Sequence, residues 1–362
     1  MEAAMVSNNN PKADLSFRIY EGTIPNEIYE KLDDIYQSVY SVRDYFYTYE
    51  SFDNINAVVV SRARVPVHVI IFTIKKKRVQ ILNRLCSIDS KYIDYVSKVI
   101  FNKYESIVRI DFRGIYKTRF SNMNMPHLIS SIYKDIVLDL PGNFELYYTK
   151  LGKKIRKNIK YYSRRLDDTF TNVKFEVRIG SNIDPNIVKQ IITFNRLRMI
   201  QKGLRPSIDK NYEEKICAFS KLYGNVGVVR INGNVCAGTI FYRVGKHVYL
   251  HVLSHVINYD KYDLGIICLF HTIKYCIEIK AQTFHFLWGT SEYKHRFLGN
   301  DKEVCNIAIF RNNMHKMLNY YEIFPYIRSY LENLLSDSKL RSNKSARACY
   351  RRLMQIKNRL IK

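Results

Sequence analysis

Two histidines four residues apart, His251 and His255, lie in the run His-Val-Tyr-Leu-His-Val-Leu-Ser-His at 247–255. Histidine is the side chain that exchanges a proton near neutrality. The β-branched and aromatic content of the run predicts a strand. Alternate residues of a strand share a face, so both rings and Tyr249 would line one surface and either histidine could act as a general base. The competing reading is a ring packed or hydrogen-bonded against the neighbouring strand. A second group of reactive types follows at Glu292, Tyr293, Lys294 and Arg296. Glu292 is an alternative base, although a glutamate in a helix's first turn also simply complements the dipole. Lys294, a compact point charge, suits a phosphate better than proton transfer. Trp288 is the only tryptophan and reads either as core or as a stacking platform.

The elements that must position these residues are legible around them. Phe284, Phe286 and Trp288 alternate with His285 and Leu287 as a strand; Gly289 punctuates it, and Thr290 or Ser291 caps a following helix. Ile266, Leu269, Phe270, Ile273, Cys276 and Ile277 have helical spacing, predicting a helix over 266–280. The loop 256–265 ends in Gly265 where that helix begins. Unpaired amides and the positive end of the dipole make such a point either a phosphate site or a simple turn. Strands are predicted at 226–231 and 235–243, joined by the hairpin dipeptide Asn232-Gly233. The first 135 residues repeat the order: strands at 56–61, 67–74 and 79–86, a helix at 90–104, a strand at 107–112. An internal duplication is therefore expected. Its first copy has only Ser87-Ile88-Asp89 before the helix, without glycine, and reads as a scaffold.

A chain of 362 residues, 47% apolar and 14% aromatic, exceeds one ordinary core and predicts two domains of mixed α/β class. Residues 1–13 are polar and Asn-rich. The longest apolar runs are too short to cross a bilayer, and the start lacks the pattern of a secretory signal. Seven cysteines without CxxC spacing fit reduced thiols and a cytoplasmic protein with no metal site. The net charge of +25 predicts polyanionic partners. Its carriers cluster at Lys75–Arg78, on an amphipathic helix at 151–166 (Leu151, Ile155, Ile159, Tyr162, Leu166), and in the tail from Arg341 to Lys362. Three surfaces are open to that tail: the domain itself, a second subunit in a homodimer, or an anionic surface.

Tyr259, Lys261, Tyr262 and Gly265, followed by Gly289, the pair Tyr293-Lys294 and Phe297, resemble the GNAT acyltransferases of the CelD or BioF2-like subgroup. The stretch 136–168, from Ile136-Val-Leu-Asp-Leu-Pro-Gly to Arg164-Arg165-Leu166, resembles that subgroup's leading strand and long basic helix. The loop Lys261-Tyr-Asp-Leu-Gly265 is poorer in glycine and arginine than the pyrophosphate loop of most GNAT proteins. The resemblance implies two GNAT-like domains in tandem: a degenerate one at 1–135 and a catalytic one at 136–335, with a basic helix at 336–362. It implies acyl-coenzyme A as donor, held by Leu253, Tyr262, Asp263, Leu264, Gly265, Ile266 and Ile267. A nucleotide-linked amino sugar for surface polysaccharide is the implied acceptor, bound by Trp288, Lys294 and Arg296. The implied chemistry uses a backbone amide of the 247–255 strand for the oxyanion, His251, His255 or Glu292 as base and Tyr293 as acid. No DNA is implied. FemABX-like transferases, which draw an aminoacyl group from tRNA, share the doubled architecture and would suit the charge. A non-catalytic module of polysaccharide assembly is the other alternative.

Overall fold

The computed structural model describes residues 15–50, 55–117, 123–289 and 291–319. The stretch 336–362, expected to form a basic helix, and Thr290 lie outside them. In chain order the elements begin with β1 (Leu15–Glu21), α1 (Asn26–Tyr36), α2 (Arg43–Tyr49), β2 (Ile55–Arg62), β3 (Val65–Lys75) and β4 (Arg78–Ile81). Then come α3 (Ser90–Lys103), β5 (Arg109–Tyr116), β6 (His127–Asp139), α4 (Phe144–Lys150), α5 (Lys153–Thr169) and β7 (Val173–Ile179). Next are α6 (Pro185–Gln201), α7 (Lys210–Tyr223), β8 (Gly224–Ile231), β9 (Asn234–Val244) and β10 (His247–His255). The last are α8 (Leu264–Glu278), β11 (Thr283–His285), α9 (Glu292–Arg296), β12 (Asn300–Phe310) and α10 (Asn313–Leu318).

Residues 15–23, 55–117, 123–133 and 303–319 form one compact unit; 24–50, 134–289 and 291–302 form the second. In the first unit the strands lie in the order β1-β2-β3-β4-β5-β12. All neighbours recorded there are antiparallel except β4 and β5, which run parallel across the α3 crossover. The second unit repeats this as β7-β8-β9-β10-β11-β6, with α8 as the crossover between parallel β10 and β11. The expected duplication is present. In each unit the sixth strand is the chain segment that follows the other unit's fifth strand.

Sequence chemistry explains the second unit closely. On α5, Ile155, Ile159 and Leu166 are buried with Leu151 just before it, leaving the lysines and arginines outside. The crossover helix α8 is apolar almost all round and buries Leu264, Ile267, Phe270, Ile273 and Ile277 against Phe241, Val248 and Phe284. Asn232 and Gly233 both have positive φ, 51° and 85°, as the two-residue hairpin between β8 and β9 demands. On the other face of this sheet, α2 meets α7: Tyr45 and Tyr49 ring edges contact Phe219, and the Tyr223 hydroxyl donates to Asp44 at 3.1 Å.

One strand of the first unit is shorter than its sequence suggests. The strand expected over 79–86 stops at Ile81. The Asn83 side chain then takes the place of strand backbone, accepting from Ile71 N at 2.7 Å and donating to Val69 O at 3.1 Å, and Leu85 adopts a φ of 47°.

Helix α7 passes into β8 with no linker, Tyr223 ending one and Gly224 starting the other. A Cβ on Gly224 would fall 2.6 Å from Ser220 Cα and 2.8 Å from its carbonyl carbon, so backbone would have to move. Gly224→Ala is therefore expected to destabilise the protein by about 1–3 kcal/mol. Thermal denaturation checks this; an unchanged midpoint would mean the junction relaxes freely.

Candidate active site

The expected reactive residues converge where two parallel strands part. β10 and β11 pair for three rungs only, His247 with Thr283, Val248 with Phe284 and Tyr249 with His285. β10 continues to His255, still paired with β9, while β11 has ended. At the fork β10 carries an irregularity: Leu250 faces Phe241 and Val252 faces Ile240, so His251 is an extra residue. Such an insertion leaves its own backbone outside the ladder and re-aims the side chain.

That extra residue changes the histidine geometry. The expectation that His251, His255 and Tyr249 share one face holds only for a regular strand. His251 instead turns toward α7, with Nε2 3.4 Å from the Tyr212 hydroxyl and its ring 5.2 Å from that of Tyr242. Burial pushes its pKa down to about 4. His255 lies on the α8 face. Its Nε2 sits 2.6 Å from Asp260 Oδ1, and its Nδ1 is buried without a hydrogen-bond partner. Burial, with Arg198 adding to it, lowers the His255 pKa against the pull of Asp260.

The start of α8 rests on that imidazole. A Cβ on Gly265 would lie 2.8 Å from His255 Nδ1, so glycine is needed for the helix to approach. The first turn of α8 holds no acid and its N-cap residue, Asp263, makes no side-chain cap bond. The amide end of the helix thus has no side chain capping it. Arg198 of α6 and Lys202 just past its end both act on His255, and Arg296 and Arg198 both act on Asp263, whose carboxyl pKa burial raises. Tyr262, Leu264 and Ile267 are buried in the core, and Leu253 and Ile266 pack against it. What these residues can offer a ligand is mainly backbone.

The α9 region departs from expectation most. The strand expected to reach Trp288 stops at His285, and Leu287 has a φ of 55°. The cause is Lys294. Its ammonium donates to the carbonyls of Phe286, Leu287 and Gly289, each at 3.1 Å, and also to that of Trp288. A carbonyl turned to an ammonium is unavailable to a neighbouring strand. Lys294 is only 4% exposed, and burial pushes its pKa down to about 8 against the attraction of Asp135. It ties a loop rather than meeting a ligand phosphate. Trp288 is 40% exposed, tilted against Tyr40 at 5.6 Å, and so is not core. Glu292 is solvent-exposed and paired with Arg296 at 2.8 Å, which holds its carboxyl below the usual range. Tyr293 packs edge-on to Phe286, and burial raises its pKa despite Arg198.

Two groups escaped the sequence reading. His285, which the sequence shows only as one member of an alternation, donates from Nδ1 to Asp135 Oδ2 at 2.7 Å and has Thr283 Oγ1 2.9 Å from its Nε2, under a stacked Tyr249 ring at 4.4 Å. Asp135 is 150 residues away in the chain, so no local pattern could join them. Arg198 and Lys202 carried a weak signal, being cations four apart on one helix. Among the described residues, no group of three or more His, Cys, Asp or Glu could hold a metal ion, and no helix is long and apolar enough to cross a membrane.

Comparison with known proteins places this architecture. Residues 153–295 match the acetyltransferase (GNAT) domain family. Among solved structures the chain is similar to FemX, at 10% identity and TM-score 0.63, covering 83% of this chain and 99% of that one. It is also similar to a conserved protein of unknown function from Bacteroides thetaiotaomicron VPI-5482, at 10% identity and TM-score 0.50, covering 80% and 98%. A tandem GNAT protein from the clavulanic acid biosynthesis pathway aligns at 9% identity and TM-score 0.42, covering 81% and 98%. No curated protein matches the sequence. The chain thus has a GNAT fold, with the match to the acetyltransferase (GNAT) domain family confined to residues 153–295.

Lys294→Met removes the donor and leaves buried carbonyls unpaired, so stability should fall by on the order of 2–4 kcal/mol, measured by urea titration. A variant as stable as the wild type would show the loop holds itself. His251 supplies a pH signature. Its pKa is lower folded (about 4) than in an unfolded chain, where it is ordinary, so the unfolded state binds the extra proton between these values. Stability is expected to be full above about pH 6.5 and to fall as pH drops toward 4. His251→Phe should make that part of the stability profile shallower, while His68, His247, His255 and His271, also lowered by burial, keep their own share; an unaltered slope would assign it to those groups.

Proposed function

We propose that the second unit transfers an acyl group from an acyl-coenzyme A thioester to a primary amine, with the donor's pyrophosphate at the start of α8. The carrying observation is the conjunction at that helix start. A glycine with no room for a side chain, a buried imidazole nitrogen without a partner and three nearby cations, Arg198, Lys202 and Arg296, occur together. These groups fit a pyrophosphate. Helix amides and cations attract it. Of the two acids nearby, Asp260 is engaged by His255, and Asp263 is held near Arg198 and Arg296.

The fork between β10 and β11 gives the donor's arm a passage toward His251. There the inserted residue supplies a backbone amide free of the ladder, the natural donor to a developing oxyanion. His251, neutral at physiological pH and on the α7 face, is the base that takes the amine's proton. Tyr293, which burial keeps protonated, is the acid for the departing thiolate. His255 holds the helix start and is not the base, because Gly265 covers one nitrogen and Asp260 engages the other. The resemblance to the CelD-like branch supports a nucleotide-linked amino sugar as acceptor. A second reading, transfer of an aminoacyl group from tRNA, draws support from the likeness to FemX across nearly the whole of that chain.

Isothermal titration with coenzyme A tests the donor site. Wild-type protein should bind in the micromolar range, and Gly265→Glu, which brings a carboxylate and a clash, should abolish binding. No binding by wild type would remove the acyl-coenzyme A reading; saturable binding of aminoacyl-tRNA in its place would establish the second. With an active acceptor in hand, His251→Ala should lower kcat/KM by about 100-fold.

A further inference from the structure

Helix α6 is built differently along its two halves. Val188, Ile191 and Ile192 in the first half are buried. In the second half Leu197 is 51% exposed and Ile200 62%, and Leu204, just past the helix end, is 55% exposed. Spacings of three and four residues put these three on one stripe. The helix end that carries them is well formed. Gly203, at φ 68°, donates to Ile200 O at 2.9 Å, and Leu204 donates to Met199 O at 2.9 Å, the pattern that closes a helix through a left-handed glycine.

Along this stretch of chain the charge has one sign. Between Pro185 and Ile208 the chain holds Lys189, Arg196, Arg198, Lys202 and Arg205 and no acid. Arg196 is spent on Glu213 at 2.7 Å, but Lys202 and Arg205 flank the apolar tip in solvent. Exposed aliphatic side chains ringed by cations match the boundary of an anionic bilayer, where the apolar groups enter the acyl region and the cations remain among headgroups. A nucleic acid would use the cations but gain little from the exposed side chains of the stripe, which are aliphatic and offer no ring for a base to stack on.

We propose that the end of α6, with Leu197, Ile200 and Leu204 as its apolar anchor and Lys202 and Arg205 as its cations, seats the protein on an anionic lipid surface. Arg198 and Lys202 also act on His255 beneath the start of α8. The seated tip therefore holds the mouth of the donor site close to the headgroup layer. The inference stands on surface composition and does not need the transferase reading.

Cosedimentation of the full chain with vesicles tests it. Binding is expected to phosphatidylcholine vesicles containing about one third phosphatidylglycerol, and not to phosphatidylcholine alone. The net charge alone could attract any anionic vesicle, so the deciding variant changes no charge. Ile200→Ser with Leu204→Ser, both solvent-exposed, should weaken partitioning by about tenfold or more at constant salt. Lys202→Glu with Arg205→Glu should weaken it further. Binding that is absent, or indifferent to the serine pair, overturns the proposal. So does a titration in which polyuridylate RNA, rather than the vesicle, depends on those two side chains. Gly265→Glu should leave vesicle binding unchanged, so that failure here and failure at the donor site are separable.

Discussion

The brevity of the β10–β11 pairing is the constraint on which the second unit's chemistry depends. Two parallel strands bridged by a helix would ordinarily remain hydrogen-bonded along their shared length. Here three rungs form and the strands then part. Each strand has its own cause. On β10 the inserted His251 shifts the register with β9 and twists the strand away. On the other side the Lys294 ammonium gathers the carbonyls that would have continued β11. The opening is thus written into the fold by two unrelated devices and does not rely on a ligand to force it.

Burial and charge compete throughout this site, and burial wins on the histidines. His247, His251 and His255 all have lowered pKa values, with desolvation the largest cause in each. They are kept neutral among many lysines and arginines, which is the state in which an imidazole can accept a proton. Lys294 shows the same competition with a different outcome. Its amine is compensated locally by backbone oxygens, so the group works as a structural cation where an unpaired buried charge would be prohibitive. The cations nearest the start of α8 are Arg198 and Lys202, with Arg296 shared with Glu292, and they stand nearer to solvent than Lys294.

The duplication explains why one chain holds two such forks in outline and one in substance. Both units run three antiparallel strands into a helix and a parallel strand. In the first, the segment after β4 stays tied on both sides: Asn83 bonds to β3, and backbone bonds from Leu85 N to Gly114 O at 2.7 Å and from Tyr116 N to Cys86 O at 3.1 Å hold it to β5, so the fork is closed. In the second, Gly265 lets α8 settle on His255, and no side chain caps the amide end of that helix. The difference amounts to a few residues, and it separates a scaffold from a candidate catalytic site.

Periodicity and turn chemistry in the sequence were enough to determine β2, β3, β8, β9 and β10, the helices α3, α5 and α8, the Asn232-Gly233 hairpin and the repetition of element order. These are local properties: apolar spacing is set by which face must be buried, and positive φ at a hairpin by the twist of its strands. The position of Gly265 before a helix was legible for the same reason. Three things were decided only in three dimensions. The inserted residue at His251 leaves no mark on a strand whose composition is uniform, yet it sends two equally spaced histidines to opposite faces. The role of Lys294 depends on which atoms its ammonium can reach, since spacing says that a lysine is near a loop and not whether it turns inward. The pairing of Asp135 with His285, and the placing of residues 24–50 with the second unit, join segments far apart in the chain. A sequence pattern reports a residue's own environment along the chain; contacts across such separations exist only once the strands have paired.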